Sequence, residues 1–73
     1  MSKERNKQIA CLVLQGRSCA SVGIEYRISR TRVYQITRRV VKLAAREFIG
    51  ERYSIRELRK NSDELIRRID EMG

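Results

Sequence analysis

Apolar residues recur at intervals of three and four along most of the chain, the repeat of one helix face, and turn residues interrupt them at regular places. The first repeat predicts a helix from about Glu4 to Gln15 with Ile9, Leu12 and Val13 on one face. Gly16 is its stop, because glycine accepts the left-handed conformation. Ser18 is placed to cap a second helix over 19–26, where Val22 and Tyr26 lie four apart and face the same way. Arg27 and Ile28 connect it to a third helix over about 30–46, for which Ser29 supplies the capping oxygen.

The third helix separates into two faces. Val33, Ile36, Val40, Leu43 and Ala44 form the expected core face. Thr31, Tyr34, Gln35 and Arg38 repeat at the same spacing on the other side, flanked by Arg30, Arg32 and Arg39. After Gly50 the pattern restarts. Ser54 and Glu57 match a capping box before a short helix with Ile55 and Leu58, and Asn61 and Glu64 repeat the box before a helix over 62–72. That last helix is expected to turn Leu65, Ile66, Ile69 and Met72 inward. Its outer face carries two i,i+4 pairs, Asp63 with Arg67 and Glu64 with Arg68, each worth about 0.2–0.5 kcal/mol. Phe48 and Tyr53 are expected to tie these last helices to the first three. Without proline, low complexity or sustained alternation, the chain reads as all-α: one domain over 1–73, with a tri-helical core at 4–46 and a helical extension at 47–73.

Composition narrows what such a fold is for. At 73 residues the chain builds one small core and has no room for a buried catalytic cleft. Its 17 basic side chains against 9 acidic ones give a net charge of +8, which makes a polyanion the leading partner. The charge is uneven. Residues 1–46 hold 11 basic and 2 acidic side chains, whereas 47–73 hold 6 and 7, so the polyanion is expected to meet the first segment. The scarcity of stacking aromatics favours duplex DNA over RNA.

Cys11 and Cys19, with no histidine in the chain, cannot complete a four-ligand zinc site within one molecule, and they are expected to be reduced packing residues. No metal, cofactor or catalytic residue is expected: there is no acidic pair in the basic half, no phosphate-binding glycine loop and no nucleophile motif. The apolar run at 9–14 is too short to span a bilayer, so no membrane partner is expected and the chain is placed in the cytoplasm.

A short helix, a three-residue turn and a helix with a basic stripe are the ingredients of a helix-turn-helix. Counting Cys19 as the first residue, the apolar positions required at 4, 8, 10, 15 and 18 are filled by Val22, Tyr26, Ile28, Val33 and Ile36. Gly23 stands fifth, where the two helices approach most closely. On these residues the stretch 18–44, "SCASVGIEYRISRTRVYQITRRVVKLA", resembles region four of the sigma factors of bacterial RNA polymerase, and less closely the output domains of LuxR-type regulators. "ISRTRVYQI" carries the match, after Gly23 and an aromatic at Tyr26, and "RNKQIACLVLQG" fits the preceding helix.

The resemblance covers residues 4 to about 44 and implies a recognition helix in the DNA major groove with base contacts from Arg30 and Gln35. Thr31 stands where main sigma factors usually have glutamate, and Tyr34 where they have arginine, so the promoter sequence does not carry over. Arg27 replaces the glycine common at the turn.

The expected base-reading set is therefore Arg30, Thr31, Tyr34, Gln35 and Arg38. The expected phosphate contacts are Arg17, Ser18, Arg27, Arg32, Arg39 and Lys42. These point to a sequence-specific DNA-binding transcription regulator of the bacterial cytoplasm or nucleoid, of phage or mobile-element type. The alternative is a module that binds RNA polymerase or a sigma factor with little DNA affinity of its own. A homodimer is compatible with either.

Overall fold

The computed structural model describes residues 2–46 and 54–72, and the expected packing of Phe48 and Tyr53 lies outside them. Five helices follow one another: α1 (Ser2–Leu14), α2 (Cys19–Tyr26), α3 (Arg30–Ala44), α4 (Ile55–Arg59) and α5 (Ser62–Glu71). No strand occurs among the described residues, and no helix there is long and apolar enough to cross a membrane. The all-α expectation holds. α3 packs against α1, α2 and α5, while α1 also meets α2, α4 and α5.

The helix ends follow from local chemistry. The side chains of Ser18, Ser29 and Ser54 accept hydrogen bonds from the backbone N–H of Ser21, Arg32 and Glu57, each the third residue on, as the capping positions predict. Gly16, at φ +117°, closes α1: its N–H donates to Val13 O at 3.0 Å, and that of Arg17 to Leu12 O at 3.1 Å. The same closure ends α2, with Arg27 in the left-handed position at φ 59°. There Ile28 N–H donates to Gly23 O at 2.9 Å, and Arg27 N–H to Ile24 O at 3.3 Å. A left-handed L-residue costs about 1–2 kcal/mol, which this closure sustains.

Gly23 is required for a steric reason. A Cβ added there would lie 2.6 Å from the carbonyl oxygen of Ile28 and 3.4 Å from the amide nitrogen of Arg30. Only a residue without a side chain lets the backbone of α2 touch the turn that launches α3.

The core comprises Ile9, Ala10, Val13 and Leu14 of α1, Val22 of α2, Val33, Ile36, Val40 and Val41 of α3, with Ala45, Leu58, Leu65 and Ile69. Cys11, Leu12, Cys19, Tyr26, Ile28, Ala44, Ile55, Ile66 and Met72 pack partly buried around it. The extension thus covers the core with the residues expected to point inward.

Leu43 corrects the expected core face of α3, for it is 66% exposed. The buried stripe runs through Val33, Ile36, Thr37, Val40 and Val41 and on to Ala45, with α5 packed on α3. Thr37 is fully buried and satisfies its hydroxyl by donating to Val33 O at 2.9 Å. α3 also ends at Ala44 rather than 46, and α5 at Glu71 rather than 72. Asn61 precedes α5 without a side-chain capping bond, so the second capping box does not form. Its Glu64 faces Arg67 at 2.6 Å and Arg68 at 2.8 Å instead. The Glu64–Arg68 pair was expected. Arg67 pairs with Glu64 and Glu71 rather than Asp63: its Nη2 donates to both carboxylate oxygens of Glu64 and its Nη1 to Glu71 Oε2, so the fork bridges two carboxylates. Hydrogen bonds from Arg67 and Arg68 hold the Glu64 carboxyl below the usual carboxylate range.

Arg59, at the end of α4, donates through Nε to Val13 O at 2.9 Å and through Nη2 to Arg17 O at 2.7 Å. It therefore takes two carbonyls at and just beyond the C-terminus of α1, sharing Val13 O with the Gly16 amide, where negative helix-end potential favours a cation. This contact joins the extension to the loop that precedes α2.

Two stability changes follow. Gly23→Ala is expected to cost about 1–3 kcal/mol, as overpacking does, and each kcal/mol should lower Tm by about 4–8 °C in a domain this small. An unchanged thermal transition would mean that α2 and the turn do not touch. Arg59→Met, which keeps the stem and removes the fork, should lose about 1.5–3 kcal/mol in urea denaturation, the usual range for hydrogen bonds from a charged donor. Arg59→Lys, with one donor group, should recover part of it.

Candidate nucleic-acid interface

The face of α3 opposite the core is polar and cationic. Arg30, Thr31, Arg32, Gln35, Arg39 and Lys42 are all exposed on it. Tyr34 is 41% exposed, and the guanidinium carbon of Arg38 lies 5.5 Å from the centroid of its ring, so the two form an i,i+4 cation–π pair. Arg38 is consequently half-buried rather than fully extended into solvent. Arg27 is exposed at the turn, where its left-handed backbone sets it apart from the α3 stripe.

Residues 26–46 contain no acidic side chain, so all the charge that α3 itself contributes to this face is positive. The hydrophobic anchoring at Val33, Val40 and Val41 fixes the rotation of α3 and hence the direction in which the stripe points. Between α3 and α1 the stripe borders an open cleft lined by Asn6, Arg32, Gln35, Ile36 and Arg39.

Arg17 and Ser18 are placed differently. They lie before α2, and Arg17 is already engaged: Nη1 donates to Glu25 Oε1 at 2.6 Å and Nη2 to Ser21 Oγ at 2.8 Å. The pair is partly exposed, at 36% for Arg17 and 50% for Glu25. Ser18 Oγ is occupied as the α2 cap. Both expected phosphate contacts thus lie just before α2, with side chains already engaged by residues of α2.

Two further side chains shape the site without having been singled out in the sequence. Arg5 of α1 donates to Tyr26 O at 3.0 Å, with its guanidinium carbon 5.8 Å from the Tyr26 ring centroid, and so closes the C-terminus of α2. The Tyr26 hydroxyl donates to Gln8 Oε1 at 3.3 Å. Tyr26 thus packs by its ring and bonds by its tip, leaving it no part in the outer stripe. Cys11 and Cys19 are free thiols in partly buried positions. Burial pushes the Cys11 thiol up, with the carboxylate of Asp70 adding to it and Lys7 opposing, which disfavours the reactive thiolate.

The chain matches no protein family, no curated protein and no solved structure with which it was compared.

The engagement of Arg17 generates a test that needs no particular polyanion. Glu25→Gln should release the Arg17 fork and delay elution from a heparin column to higher salt. Glu57→Gln, which changes net charge equally but lies on α4, should shift elution less. Equal shifts would mean that only total charge matters.

Proposed function

We propose that this chain is a sequence-specific DNA-binding transcription regulator of helix-turn-helix type that lays α3 in the major groove. The observation that carries this is the exposed, acid-free stripe on α3, aimed by a buried apolar stripe on the opposite side of the same helix. A helix of 15 residues presenting Arg30, Thr31, Tyr34, Gln35 and Arg38 suits direct readout. Arginine forks to guanine O6 and N7, glutamine pairs with adenine N6 and N7, and an aromatic ring or threonine methyl contacts the thymine methyl. Arg27, Arg32, Arg39 and Lys42 flank these positions as phosphate contacts, which fix register without reading sequence. Arg17 and Ser18 join them once phosphate displaces Glu25.

Docking on RNA polymerase or a sigma factor is the second activity this surface fits. It is favoured by two large apolar side chains left in solvent, Ile24 at 82% and Leu43 at 66% exposure.

Selection from random duplex DNA separates the two. A defined site should be enriched, and Gln35→Ala should relax the choice at one position by about 1–3 kcal/mol. Lys42→Ala should weaken all sequences about equally. With about five phosphates neutralised, log K should fall against log salt with a slope of roughly −4.5. A palindromic site would indicate a dimer and a single asymmetric site a monomer. If no site is enriched and salt dependence is flat, while immobilised protein retains purified RNA polymerase, the second activity replaces the first.

A further inference from the structure

The cleft between α1 and α3 has a volume of about 240 Å³. Arg32 and Arg39 are seven positions apart on α3, which sets their backbones about 10.5 Å apart along one side of the helix. Between them lie Gln35 and Ile36, the latter only 9% exposed and forming an apolar floor. Asn6 of α1, half-buried, supplies the opposite wall. Among the described residues no acidic side chain lines the space.

What distinguishes this cleft is the state of its polar groups. Arg5, Arg17, Arg59 and Arg67 are all committed to carbonyl or carboxylate partners. The side chains of Asn6, Arg32, Gln35 and Arg39 make no hydrogen bond or ion pair with any described residue. Two guanidiniums and two carboxamides thus converge on one concavity with their donors unspent, and a concave cationic surface over an apolar floor focuses potential on an anion.

We propose that this cleft is a phosphodiester site. One backbone phosphate of a DNA duplex seats between Arg32 and Arg39 and accepts a hydrogen bond from the Asn6 carboxamide, so α1 forms part of the interface. Arginine's planar fork matches phosphate oxygens. The uncharged Asn6 adds a directional donor and no charge. The proposal rests on the DNA binding put forward above and adds Asn6, a residue outside the α3 stripe, to the contact set.

Charge bookkeeping separates its members. Each arginine that meets phosphate contributes about 0.9 to the salt slope, and an amide contributes none. Binding of the full chain to a fluorescein-labelled 20-base-pair duplex, followed by anisotropy across salt, reads both. Arg32→Ala and Arg39→Ala should each flatten the slope by about 0.9. Asn6→Ala should weaken binding about five-fold, the usual worth of one hydrogen bond, with the slope unchanged. Asn6→Asp, placing a carboxylate against the phosphate, should weaken it at least about ten-fold. Gln15→Ala, exposed in the turn just after α1, should bind as wild type. Thermal melting of each variant should show a retained fold.

If both Asn6 variants bind as wild type while Arg32→Ala and Arg39→Ala weaken, the cleft does not hold phosphate and DNA binding stands without it. If inorganic phosphate displaces the duplex at constant ionic strength, the cleft serves a free anion and the proposal fails. If the wild-type chain binds no duplex, the DNA-binding function itself falls, an outcome distinct from the other two.

Discussion

The arrangement of this molecule depends on a single close approach, that of Gly23 to the backbone of Ile28. The Ile28 amide donates to the Gly23 carbonyl at 2.9 Å, and the Gly23 Cα faces the Ile28 carbonyl at a distance no Cβ would tolerate. That contact, with Arg27 left-handed, turns the chain sharply enough for Ser29 to cap α3 and for Val33 to reach the core beside Val22. Widening it would rotate α3 relative to α1 and α2. The outer stripe, including the Asn6–Arg32–Arg39 cleft, would lose its aim before it lost any residue.

The arginines divide by the same geometry. Those next to a helix end or a carboxylate are spent on the fold: Arg5 on the end of α2, Arg59 on the end of α1, Arg67 and Arg68 on Glu64. Arg32 and Arg39, on the outer side of α3, have no acid within their own segment and stay exposed. Type and number of cations are therefore poor guides to what they do. Position relative to helix termini decides it, because a helix C-terminus attracts a guanidinium as a carboxylate does.

Much of this was legible in the sequence because it is local. Serine oxygens three residues before a free amide, a glycine after a helix, and apolar spacing of three and four placed α1, α2 and α3 to within about two residues, the usual margin at helix ends. What was not legible depends on contacts distant along the chain. Leu43 fits the apolar repeat of α3, yet tertiary packing covers Val41 and leaves Leu43 in solvent. Arg59 bonds to residues more than forty positions earlier, a pairing no spacing rule contains. The pairing of Arg17 with Glu25, one α2 length away, is likewise a matter of position in space. Asn6 escaped notice for the same reason: its part in the cleft exists only once α1 lies against α3.

The near-neutral extension then has an electrostatic consequence as well as a packing one. Its carboxylates at Glu57, Glu64 and Glu71 are paired at 2.6–3.6 Å with Lys60, Arg67 and Arg68 on their own helices or at the helix end. Charges cancelled at such range project little field beyond the Debye length of about 8 Å at physiological ionic strength. The excess of +9 in residues 1–46 is left to dominate the long-range field. The potential of the molecule is therefore most positive over its first segment, which includes the exposed Arg32 and Arg39 of α3. Steering by such a field raises association rate more than affinity. The extension thus adds packing with little net charge, while Arg59 and Leu58 hold it in place.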